Sequence, residues 1–80
     1  MGGYHTKDIP KGELGAFSKI REEFLELEDA VAQSDTVLTL CELTDLYGAI
    51  EEYIKRWNLD MHALKRFSDK TKSAFKSGKR

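Results

Sequence analysis

Five acids in two short segments are the residues with the clearest capacity for chemistry: Glu22-Glu23-Phe24-Leu25-Glu26 and Glu42-Leu43-Thr44-Asp45. Each segment offers carboxylates at i and i+3. On a helix those positions share a side, so Glu23 with Glu26, and Glu42 with Asp45, can each direct two oxygen donors to one point. Four carboxylates meeting there would repel strongly without a hard divalent cation among them. Ligation by oxygen alone suits Mg²⁺, with Mn²⁺ as a substitute, over Zn²⁺. With 14 Asp and Glu in 80 residues, the same spacing also arises on solvated helix faces.

The surrounding pattern supplies the helices that would carry these pairs. Residues 1–12 contain Gly2, Gly3, Pro10 and Gly12 without a helical period and read as an extended arm. Leu14, Phe17, Ile20, Phe24, Leu27 and Val31 recur at steps of three and four, predicting helix one over 14–33. Ser34-Asp35 interrupts and can cap helix two, expected over 36–57 with Leu40, Leu43, Leu46, Tyr47, Ile50, Tyr53, Ile54 and Trp57 on its apolar face. Asn58 suits a stop and Asp60 a cap for helix three over 60–77, with Gly78 at its end. The expected fold is all-α, an antiparallel bundle of three helices per chain, because short connections join neighbours that run in opposite directions. The apolar face of helix two is too broad for one neighbour, so a homodimer or homotetramer is expected to complete the bundle.

Helical phase refines the pairing. Glu23 and Glu26 lie about 70° and 130° from the centre of the apolar stripe of helix one, and Glu42 and Asp45 about 75° and 135° from that of helix two. The two pairs thus flank their stripes alike. Glu22 falls nearly opposite its stripe, at about 170°.

The formal net charge of −1 hides two opposed blocks: residues 13–54 carry −9 and residues 55–80 carry +7. Such blocks either pair as solvated faces or hold a cation and an anionic ligand side by side. A single Cys excludes an intramolecular disulfide, and Cys41 within an apolar pattern reads as a small residue letting helices approach. No apolar run approaches a membrane span, and a cytoplasmic location is expected. Nucleic-acid binding is not expected, since the acidic first two-thirds would repel a phosphate backbone. His62 lacks the Glu at position 59 that a di-iron Glu-x-x-His motif needs, and His5, in the arm, has no motif around it.

EExxE at 22–26 followed by ExxD at 42–45 resembles the signature of the MazG-like, all-α nucleoside triphosphate pyrophosphohydrolases. Gly12-Glu13-Leu14-Gly15 with Ser18-Lys19-Ile20, the run Leu43 to Ile50, and the ending Lys70 to Arg80 are similar to short MazG-like proteins of bacteriophages, so the resemblance covers the chain as one domain, 1–80. It implies Mg²⁺-dependent cleavage of a nucleoside triphosphate between the α- and β-phosphates, giving a monophosphate and pyrophosphate. It also implies Glu23, Glu26, Glu42 and Asp45 as metal ligands. Glu22 would be the water-orienting base or a contact of a second metal. Lys65, Lys72 and Lys76, within roughly 40° of one another on helix three, would form a stripe able to neutralise the triphosphate. Lys19, one turn before the acids, and Arg80 in the tail complete the expected phosphate-binding set. The rival reading is a non-catalytic helical oligomerisation module, which needs the apolar faces but not the matched acids.

Overall fold

A computed structural model describes residues 4–78 as three helices, α1 (Phe17–Ala32), α2 (Thr36–Arg56) and α3 (Met61–Lys76), with no strand among the described residues. The fold is all-α. Helix α1 begins three residues later than the periodicity predicts. Gly15 sits at φ +89°, Ala16 is extended, and a turn closes from the Ala16 N–H to the Glu13 carbonyl at 2.9 Å, so Leu14 lies outside the helix. A Cβ at Gly15 would press on the Arg56 side chain, which makes glycine doubly suited to that position.

The two helix junctions follow from local chemistry. Ser34 turns the chain at φ 58°, and the Asp35 carboxylate then accepts the Leu38 N–H at 3.0 Å to cap α2. Asn58 does the same at φ 54° after α2, with the Leu59 N–H returning to the Ile54 carbonyl at 2.9 Å. Asp60 caps α3 by accepting from the His62 and Ala63 N–H groups.

Helices α1 and α2 pack against each other, while α3 makes only slight contact with either and contributes no buried residue. The radius of gyration, 14.5 Å, exceeds the ~12 Å of a compact chain of this length. Apolar burial is correspondingly small: among the described residues only Ala30, Ala49 and Ile54 are buried hydrophobic residues, whereas Glu22, Glu23, Asp29 and Glu42 are buried acids. The stripe expected to seal α1 instead faces outward, with Phe17, Phe24 and Val31 more than half exposed. The α1–α2 interface inside one chain is thus lined by the carboxylate side of each helix. Cys41 is exposed and a Cβ on Gly48 would meet open space, so neither marks a close helix approach within the chain.

Candidate metal centre

The i, i+3 pairs of α1 and α2 converge. Carboxylate oxygens of Glu23, Glu26, Glu42 and Asp45 all lie within 4.8 Å of one another. Glu23 and Glu42 are about 95% buried, at 4% and 5% exposure, and one oxygen of each, Glu23 Oε1 and Glu42 Oε1, has no hydrogen-bond partner. A buried carboxyl oxygen with no hydrogen-bond partner is costly enough that such groups are normally paired or bound to a metal. The electrostatics register the crowding. Burial, with the charges of Glu23, Glu42 and Glu22, pushes the Glu26 carboxyl up to about 7. The donor set and its orphaned oxygens fit a hard divalent cation, for which all four residues would be ligands.

Glu22 takes a position that helical phase does not predict. It is 2% exposed because the N-terminal arm folds over it: the Gly12 N–H donates to Oε1 at 2.8 Å, Lys19 Nζ lies 3.1 Å from the same oxygen, and Lys11 Nζ is 3.7 Å from Oε2. Burial alone would raise its pKa, but these donors and charges lower it, leaving Glu22 a fixed anion. The arm approaches so closely at Gly12 that a Cβ there would collide with the Ser18 carbonyl and the Lys19 nitrogen.

Lys19 bridges Glu22 and Glu23 at 3.1 Å each. Burial would lower its pKa, yet the two carboxylates raise it. It stands at the edge of a cavity of about 590 Å³ that Glu22, Glu23, Glu26, Glu42 and Asp45 also line. That volume falls within the range of small-molecule sites. Lys65, Lys72 and Lys76 do not reach this cavity. They are exposed on α3, where Lys72 lies 3.4 Å from Asp69. Arg80 lies outside the described residues.

Two residues at the centre carry no motif in the sequence. His5 places Nδ1 2.9 Å from Asp29 Oδ2, and Nε2 3.0 Å from Glu42 Oε2 and 3.7 Å from Glu26 Oε1. Burial would lower its pKa, but hydrogen bonds to Asp29 and Glu42 and the nearby charges raise it above the ordinary histidine value. Asp29, 1% exposed, also accepts the Thr6 hydroxyl, the Thr6 N–H at 2.9 Å and Gln33 Nε2 at 3.1 Å. The Thr6 donors, with those of His5 and Gln33, outweigh burial and hold its carboxyl well below the usual range. Its position three residues after Glu26 was the available signal. His5 had none, because its partners stand 24 and 37 positions away.

The chain was compared with family models, curated proteins and solved structures, and it matches none of them.

Proposed function

We propose that the chain is a Mg²⁺-dependent nucleoside triphosphate pyrophosphohydrolase of MazG-like type, cleaving (d)NTP to (d)NMP and pyrophosphate. The observation that carries this reading is the meeting of Glu23, Glu26, Glu42 and Asp45 with two unpartnered buried oxygens, beside a cavity large enough for a nucleotide. These four residues would hold the ion, with Mn²⁺ an acceptable substitute. Bound there, it would neutralise phosphoryl charge as the α–β bridge breaks.

The chain's own groups have defined tasks around that point. Glu22, pinned by the Gly12 N–H and Lys19, is a fixed acceptor that orients the attacking water. Its lowered pKa suits orientation more than proton storage. Lys19 balances the acids at the cavity edge and offers charge to the substrate phosphates. Lys65, Lys72 and Lys76 join the site only if α3 of one copy faces the cavity of another. A homodimer or homotetramer with antiparallel helices provides that opportunity and covers the exposed apolar faces of α1 and α2. Membrane and nucleic-acid partners form no part of this reading, and no helix among the described residues is long and apolar enough to cross a membrane. The oligomerisation module without catalysis has one observation in its favour, the extent of exposed apolar surface.

The deciding experiment incubates the protein with a panel of dNTPs and NTPs plus Mg²⁺ and identifies the products. Monophosphate with pyrophosphate, lost in Glu23→Gln and Asp45→Asn, is expected. Diphosphate with orthophosphate would contradict α–β cleavage, and no turnover on any nucleotide would favour the oligomerisation module.

A further inference from the structure

We propose that His5, Glu26 and Glu42 form a mixed nitrogen–oxygen position for a borderline transition-metal ion, such as Co²⁺ or Zn²⁺, adjoining the all-oxygen position and sharing two of its carboxylates. The inference rests on the metal centre of the preceding reading but not on its hydrolytic chemistry.

Three features of the cluster around His5 favour ligation over a passing contact. First, the donor atoms are spaced for one ion. Ligand atoms about 2.1 Å from a common metal stand about 3.0 Å apart in octahedral and about 3.4 Å apart in tetrahedral geometry. His5 Nε2 lies 3.0 Å from Glu42 Oε2 and 3.7 Å from Glu26 Oε1. One ligand atom from each of the three residues lies within 4.8 Å of the other two. Second, the imidazole is oriented from behind. Asp29 Oδ2 takes Nδ1 at 2.9 Å, which directs Nε2 at Glu26 and Glu42. A carboxylate that fixes the second ring nitrogen is the usual support of a metal-bound histidine, setting its tautomer and raising its basicity. Asp29 is itself held by both Thr6 donors and Gln33, so the support is built before any ion arrives. Third, Glu42 Oε1 is buried without a hydrogen-bond partner while Oε2 faces His5, so one carboxylate can serve both positions, the all-oxygen one through Oε1 and the mixed one through Oε2.

The substitution at Nε2 balances simply. The ion takes the place of the ring proton, which leaves to solvent, and Asp29 keeps its hydrogen bond from Nδ1. Imidazole ligation changes which metals the centre prefers, because nitrogen donors suit Co²⁺ and Zn²⁺ while Mg²⁺ retains its preference for oxygen. The chain would therefore offer two metal preferences within one cluster, divided by whether His5 takes part.

The test uses the full chain, with Co²⁺ binding followed by its visible absorption and Mn²⁺ binding by electron paramagnetic resonance. His5→Gln is expected to weaken Co²⁺ binding about 10- to 100-fold. Mn²⁺ binding should stay within about twofold of wild type, as expected for an oxygen-only site. A wild-type measurement removes any dependence on how the variant folds: Zn²⁺ should shift the Nε2 resonance of His5 in imidazole ¹⁵N spectra and leave that of His62 in place. If the protein binds both ions but His5→Gln changes neither, and the His5 resonance does not move with Zn²⁺, His5 is no ligand while the carboxylate centre stands. If wild-type protein binds neither ion, the centre itself fails and the inference with it.

Discussion

Glu26 is the residue on which the local electrostatics concentrate. Its pKa of about 7 reflects burial beside like charges, so the folded, metal-free chain takes up a proton there that the unfolded chain, near 4.5, does not. The folded state binds more protons between those values, and stability must therefore fall as pH rises from about 4.5 to 7. His5 acts in the same direction: its raised pKa contributes stability below its unfolded value of 6.5, lost as pH rises through the folded value. Chemical denaturation in EDTA should show lower stability at pH 8 than at pH 6, and Glu26→Gln should flatten that slope and raise stability at pH 8 by roughly 1–3 kcal/mol. An unchanged slope would mean that the carboxylates do not crowd one another. Asp29 has the opposite sign, since its depressed pKa adds stability above the ordinary Asp range that is lost as pH falls below it. At this scale the sequence exposed the four acids that cluster, because i, i+3 spacing survives translation into a helix. It concealed His5, whose place depends on Asp29 and Thr6 contacts that no periodicity encodes.

The elements divide by what stabilises them. Asp35 and Asp60 are legible as caps and do cap, because the Asx side chain satisfies helix N–H groups locally. Asp35→Ala should cost about 0.5–2 kcal/mol, measured by urea denaturation. The start of α1 was misplaced for an equally local reason, the positive φ of Gly15, which periodicity of apolar residues cannot register. The arm is the least legible element. Its described residues are placed by the side chains of Glu22, Asp29 and Glu42. Gly12→Ala tests that placement. A methyl group would drive the arm off the first turn of α1, and hydrogen exchange at the Thr6 and Gly12 amides should accelerate while that of mid-α2 amides does not change. Retained protection at both amides would show that the arm does not depend on the close approach.

Among the described residues, four acids are buried while many large apolar side chains are exposed, which leaves apolar surface that a second copy of the chain would cover. Phe17, Ile20, Phe24, Leu25, Leu46 and Ile50 line an apolar groove of about 550 Å³ along α1 and α2, separate from the acidic cavity. If another copy covers it, Phe24→Asp should yield monomers by light scattering and lower stability by more than about 2 kcal/mol, since a half-exposed side chain would otherwise tolerate the change. Wild-type monomers of undiminished stability would contradict that arrangement. The helical class was legible from periodicity, but the direction of each face was not, because phase identifies an apolar stripe without saying which chain buries it. The central claim is that Glu23, Glu26, Glu42 and Asp45 together hold a divalent cation, and the most direct measurement is thermal unfolding with and without Mg²⁺. At a hundred times its dissociation constant, Mg²⁺ bound only to the folded state should add about 2.7 kcal/mol, with the rise in Tm absent in Asp45→Asn. A wild-type Tm indifferent to Mg²⁺ and Mn²⁺ at millimolar concentration would contradict it.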